Sequence, residues 1–275
     1  IKEMENILVP TDFSSTCYNA ISQAINISRK NGAAIYILHV ISEDVTQEEF
    51  DSRKSMVKDI VRDLKYNNED MTIMPVAYQG ELAQTINDTA HQYAVDLIIL
   101  GTHGKNGIQK LIGSHALKVV DNTNKPVMVV QGDHVTGCMK NIVFPLDVNE
   151  EDRQKAVPAA KLARDTGALV HIVVKKELSH SSIMKLNNML SQLKTYFNKC
   201  GVSFVVDQSD GTDFDKYVFN YSYTNDADLI VMLTDSNFRI PFGNKEEKFM
   251  FSDSMVPVLL VSENKLKSSN FSVAG

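Results

Sequence analysis

The sequence predicts two α/β domains in tandem, each a five-stranded parallel sheet with helices on both faces. Three observations predict it. Short apolar runs such as Leu97-Ile98-Ile99-Leu100 suit strands covered on both sides. They alternate with stretches whose apolar residues recur at three and four positions, the mark of amphipathic helices. The whole alternation then occurs a second time.

The repeat is legible block by block. Asn6-Ile-Leu-Val-Pro-Thr-Asp12 returns as Asn141-Ile-Val-Phe-Pro-Leu-Asp147. A helical pattern closed by Gly32 and followed by Ala-Ile-Tyr-Ile-Leu-His-Val returns as one closed by Gly167 and followed by Leu-Val-His-Ile-Val-Val. Asp96-Leu-Ile-Ile returns as Asp228-Leu-Ile-Val, and Pro126-Val-Met-Val-Val as Pro257-Val-Leu-Leu-Val. The blocks keep their order, so residues 1–132 and 138–264 are read as homologous domains. They join across the polar stretch 131–140, and a Ser- and Asn-rich flexible tail follows at 265–275.

Within the first copy the expected elements are these. A strand at 7–9 leads to a helix opened by Ser14 or Ser15 and ended by Gly32. A strand at 34–40 precedes a helix over 46–66, with Phe50, Val57, Ile60, Val61 and Leu64 on one face. A strand at 71–78 stops at Gly80, and a helix over 81–93 buries Leu82, Ile86 and Ala90. The strand 97–100 runs into a glycine-rich loop, then a helix at 115–121 and a strand at 126–130. In the second copy a helix at 183–197 carries Ile183, Leu186, Leu190, Leu193 and Phe197.

Composition narrows the function classes. At 275 residues and 43% hydrophobic, the chain can build ordinary packed cores. A net charge of −6 argues against a general nucleic-acid surface. No apolar run approaches a membrane span. Cys17, Cys138 and Cys200 are far apart with no CxxC pair, which argues against a disulfide framework or zinc site and fits a reducing cytoplasm.

The candidate site lies at the strand ends. In parallel sheets ligands bind beyond the carboxyl ends of strands at a topological switch point. Pro10, Thr11, Asp12, Val40 and Gly101 all sit at or after such ends. Gly101 and Gly104 allow close backbone approach, and Ser114 is a good N-cap. Unpaired N–H groups of such a loop and helix start converge as a phosphate binder does.

Those residues resemble the universal stress protein family, as a tandem of two UspA-type domains spanning nearly the whole chain. The resemblance implies a Rossmann-like, adenine nucleotide alpha hydrolase-like fold. It implies the loop pattern G-x2-G-x9-G-[ST], in which Gly101, Gly104, Gly113 and Ser114 take their places; eight residues rather than nine separate Gly104 from Gly113. The implied nucleotide-binding set is Pro10, Thr11, Asp12, Val40, Gly101, Gly104, Lys105, Gly113, Ser114 and His115. In it Asp12 accepts from the ribose or adenine end, and Val40 packs on the adenine face. Gly101 and Gly104 turn beneath the phosphates, Lys105 pairs with them as a point charge, and Ser114 donates to them. The ligand would be ATP or AMP, with Mg2+ accompanying it.

The same resemblance implies that the last strands of the two halves pair antiparallel, as in a dimer of single domains, with further self-association open. In the second copy Leu233 replaces the first loop glycine, Ser236 or Asn237 stands near the second, Asp235 adds a negative charge, and Leu146 replaces Thr11, so this half is expected not to bind nucleotide in this manner. No Walker A motif, first-turn G-x-G-x-x-G or SGGxDS-like loop occurs. No residue stands out as catalytic base or metal ligand, so slow ATP hydrolysis is the most catalysis expected. Two readings remain: a stress-response module that binds an adenine nucleotide, and a scaffold that binds none and acts through a protein partner.

Overall fold

The computed structural model describes residues 2–102, 119, 123–131, 137–234 and 256–262. The first half runs β1 (Asn6–Pro10), α1 (Ser15–Asn31), β2 (Ala34–Ile41), α2 (Gln47–Tyr66), β3 (Ile73–Gln79), α3 (Leu82–Gln92), β4 (Leu97–Thr102) and β5 (Val127–Gln131). The second runs β6 (Asn141–Leu146), a 3-10 helix (Glu150–Lys155), α4 (Ala156–Thr166), β7 (Leu169–Val174), α5 (His180–Lys199), β8 (Phe204–Gln208), α6 (Phe214–Thr224), β9 (Leu229–Thr234) and β10 (Val258–Ser262). Of the helix expected at 115–121 only Val119 is described, and it is buried; the tail at 265–275 lies outside the described residues.

Local chemistry sets the boundaries. Gly32 and Gly167 close α1 and α4 with φ of 72° and 75°, a left-handed conformation that glycine adopts without a Cβ clash. Thr46 caps α2 in a reciprocal capping box with Glu49, so the helix proper starts at Gln47. Ser179 caps α5, which begins three residues before the expected Ile183.

Each half is a parallel five-stranded sheet, and the two join edge to edge in the order β3-β2-β1-β4-β5-β10-β9-β6-β7-β8. The junction is antiparallel, with Val258 opposite Val129, Leu259 opposite Met128 and Leu260 opposite Val127. Met128 thus faces its own repeat counterpart, and a local two-fold axis passes there. The pairing removes two apolar strand edges that would otherwise invite association.

Helices cover both faces. α1, α2, α4 and α5 enclose one core, around Ile7, Ile35, Phe144 and Phe197. α3 and α6 enclose the other, around Leu8, Leu38, Ile98 and Leu260. The halves also meet through α1 and α4. The Asp165 carboxylate accepts from the Met4 N–H at 3.0 Å and from Asn31 Nδ2 at 3.3 Å, and pairs with Arg164.

The repeated aspartate has a structural task in each half. Asp96 Oδ2 accepts from the Glu5 and Asn6 N–H groups at 2.8 and 3.3 Å, pinning the start of β1. Asp228 Oδ2 does the same for Lys140 and Asn141, at 2.6 and 2.9 Å. Asp96 also takes a 2.6 Å bond from Lys161 of α4, across the boundary between halves.

Candidate functional site

β1 is flanked by β2 on one side and β4 on the other, so consecutive connections leave it in opposite directions. That is the switch point at which such sheets open a crevice. Pro10 pairs with Leu38, and Leu8 with Ile98. The register therefore brings Thr11, Asp12, Val40 and Gly101 to one level at the carboxyl end of the sheet. Gly104, Lys105, Gly113, Ser114 and His115 lie outside the described residues.

Thr11 leaves the strand ladder. Its N–H donates to the Leu38 carbonyl at 2.8 Å, and its own carbonyl lies 2.7 Å from His39 Nδ1. The chain then turns through Phe13 at φ 68°, an uncommon conformation for a bulky residue and one that costs on the order of 1–3 kcal/mol unless its surroundings hold it. The His39 ring lies 4.3 Å from the Phe13 ring, and the Phe13 N–H donates to Thr11 Oγ1 at 3.1 Å.

This turn presents Asp12 at the mouth of α1. Asp12 Oδ1 accepts from the Ser14 N–H at 2.9 Å and from Cys17 Sγ–H at 3.0 Å, while the Asp12 N–H donates to Cys17 Sγ at 3.4 Å. Partial burial alone would push the carboxyl up, but hydrogen bonds from Ser14 and Cys17 outweigh it and hold Asp12 below the usual carboxylate range. Burial and the neighbouring carboxylate push the Cys17 thiol up, so it stays a neutral donor. Asp12 is exposed, and the bonds from the Ser14 N–H and from Cys17 both go to one oxygen, Oδ1.

Gly101 differs from its expected role. It is still inside β4, not in the loop beyond it, because the strand continues to Thr102. A Cβ on Gly101 would lie 2.2 Å from the Thr16 carbonyl oxygen and 3.0 Å from the Cys17 nitrogen. The first reason for glycine here is thus the close seat of α1 against β4, which fixes where Asp12 and Cys17 stand. Val40 is half-buried beside Tyr78 of β3 and packs on the α3-side core.

The second half fills the equivalent place with its own side chains. Gly101 pairs with Val130 and Leu233 with Val261, so Leu233 occupies the position of Gly101. A helix cannot seat as closely over leucine, and α4 is entered through a 3-10 turn. At the positions of Cys17 and Ala20 in the repeat stand Asp152 and Lys155. They form a 2.7 Å ion pair, both nearly inaccessible, and Lys155 Nζ also donates to the Pro145 carbonyl at 2.7 Å. Asp152 Oδ2 takes the Asp147 N–H at 3.1 Å, the bond that Cys17 Sγ takes in the first half. Burial pushes the Asp152 carboxyl up, against the pull of Lys155.

Sequence reasoning missed His39 and Cys17. The signal was there in the repeat: Val174 and Asp152 replace them in the half whose loop has changed. Among the described residues no cluster of three or more His, Cys, Asp or Glu side chains could hold a metal ion, and no described helix is long and apolar enough to cross a membrane.

A parallel sheet covered by helices on both faces in each half defines an α/β protein of two Rossmann-like halves. Comparison places it further. Residues 3–131 match the model of the Universal stress protein family. Two universal stress proteins of Methanocaldococcus jannaschii are each 28% identical, over 146 and 153 residues; each alignment covers 46% of this chain, and 82% and 94% of the relative. A universal stress protein from Archaeoglobus fulgidus shares the fold over 94% of this chain and 98% of its own, with TM-score 0.74 at 18% identity. The first half of the chain is a universal stress protein domain, and the chain as a whole has the fold of the Archaeoglobus protein.

Proposed function

We propose that this protein is a stress-response module that binds one adenine nucleotide, ATP or AMP, in its first domain. The domains are residues 1–132 and 138–264. The observation that carries this reading is the contrast between the halves. In the first, an ionised Asp12 faces solvent at the switch point, with the Ser14 N–H and Cys17 bonds both on Oδ1. In the second, the same place is filled by the buried Asp152–Lys155 pair and by Leu233.

In this reading Asp12 accepts from a ribose hydroxyl or the adenine end, and Val40 lines the adenine face. Pro10 and Thr11 carry the turn, and Gly101 seats α1. Gly104, Lys105, Gly113, Ser114 and His115 supply the phosphate side. Mg2+ arrives on the phosphates. In this reading the activity is binding, with slow ATP hydrolysis the most catalysis expected. The second domain serves as a fixed packing partner, and its self-filled site also favours a role in contacting another protein.

The test is to purify the full chain without added nucleotide, denature it and identify released small molecules by chromatography and mass spectrometry. Adenine nucleotide near one per chain, lost in Gly113→Val, is the expected result. No released nucleotide together with no ATP binding at millimolar concentration would leave the partner-binding scaffold as the function.

A further inference from the structure

The turn that carries Asp12 is built differently in the two halves, and the side chain beneath it on the second strand differs as well. In the second half, β6 continues one residue further: Leu146 pairs with Val174, and its carbonyl accepts from the Lys175 N–H at 2.9 Å. In the first half, β1 stops at Pro10. The carbonyl of Thr11 turns instead to His39 Nδ1 at 2.7 Å, and Phe13 enters its left-handed conformation against the same ring. Pro10 pairs with Leu38 and Pro145 with Val173, so His39 and Val174 hold the same place in the two sheets. An imidazole in one half and an isopropyl group in the other mark where the chain leaves the sheet and where it does not.

We propose that His39 is the positioning residue of the nucleotide site, holding the Thr11–Phe13 turn only while its ring is neutral, so that acidification loosens Asp12 and releases the ligand. The proposal rests on the nucleotide reading given above. A carbonyl acceptor at Nδ1 requires the proton there, which leaves Nε2 as a bare acceptor. Nε2 is buried and has no hydrogen-bond partner among the described residues. A second proton would put a charged N–H into that unpartnered position, and the ring would have to leave it.

Among the described residues, the charged groups facing the ring are two. Arg53 of α2 opposes protonation, and Asp12 of the turn favours it. β3 offers Ala77 opposite, and α1 offers Cys17, which is neutral. Burial is the largest influence and, with Arg53, outweighs the Thr11 carbonyl and Asp12, holding the imidazole below its ordinary value.

The experiment follows ATP binding to the full chain by calorimetry from pH 7.5 to 5, with the Thr11, Asp12 and Phe13 amide resonances and the His39 ring nitrogens followed by NMR without ligand. Affinity in the wild type is expected to fall with acid, approaching tenfold per pH unit below the His39 midpoint. His39→Asn keeps a donor at the Nδ1 position and cannot titrate. It is expected to retain most of the affinity with a flat profile, and its turn resonances should not move. His39→Val should bind at least tenfold more weakly at every pH. An unchanged acid profile in His39→Asn, or wild-type turn resonances that do not follow the His39 midpoint, overturns the proposal. If the wild type binds no ATP at pH 7.5 the nucleotide reading fails, and the resonances still decide the role of His39.

Discussion

The backbone of Gly101 lies against that of Thr16 so closely that a Cβ would stand 2.2 Å from the Thr16 carbonyl oxygen. This contact sets the height of α1 over the sheet, and with it the position of Cys17 and the carboxylate it holds. Gly101→Ala must push α1 outward or bend β4. Overpacking of this kind costs roughly 1–3 kcal/mol. Urea denaturation should show that loss, and alkylation of Cys17 by a thiol reagent should accelerate as the helix start loosens.

Removing the carboxylate itself separates stability from binding. Asp12 is exposed, so Asp12→Ala should change the unfolding midpoint little. ATP affinity should fall at least tenfold, in line with the roughly 1.5–3 kcal/mol of a hydrogen bond to a charged group. Equal affinity in Asp12→Ala and wild type would remove Asp12 from the site.

The Lys155–Asp152 pair makes a prediction about the half that has lost its glycine. Lys155→Ala leaves a buried carboxylate without its cation, a change that typically costs about 3–5 kcal/mol. Changing Asp152→Cys together with Lys155→Ala installs the residues found in the first half. The double variant should be more stable than Lys155→Ala alone, and equilibrium unfolding of the two single variants and the double gives the coupling energy. Independent, additive effects would mean the pair is not a unit.

Asp96 predicts a pH dependence. Burial would raise its carboxyl, but the Lys161 hydrogen bond, the Glu5 N–H and the Lys161 charge together lower it below the usual range. The unfolded chain therefore binds the proton first as pH falls. Stability from Asp96 is present above the unfolded value near 4 and is lost as pH falls through the lower folded one. Asp96→Asn should lower stability at pH 7, and the gap from wild type should narrow toward pH 3. A gap that stays constant would contradict the assignment.

How far the sequence carried these conclusions can be seen residue by residue. The strands and the helices ended by Gly32 and Gly167 follow from local pattern and repetition, the antiparallel meeting of the last strands is implied by the family resemblance, and the structure has them. The task of Asp96 and Asp228 did not follow, because their partners are backbone groups some ninety positions away in the chain. The 3-10 turn before α4 was hidden too. Helical periodicity in 150–166 does not separate it from the α-helix that follows. Phe13 at positive φ contradicts its intrinsic preference, and its contacts with the His39 ring and Thr11 Oγ1 are visible only in the fold. Of the site, Asp12 was legible from its place after a strand, whereas Gly101 was legible as a glycine but for a reason belonging to α1.

The most direct test of the central claim, one competent site in a chain of two homologous halves, is the stoichiometry of binding. Nucleotide-stripped full-length protein would be titrated with ATP by calorimetry, beside Asp12→Ala and Asp147→Ala. The account predicts one site per chain, weakened at least tenfold by Asp12→Ala and untouched by Asp147→Ala. Two sites per chain, or a site lost with Asp147→Ala and kept with Asp12→Ala, would contradict it.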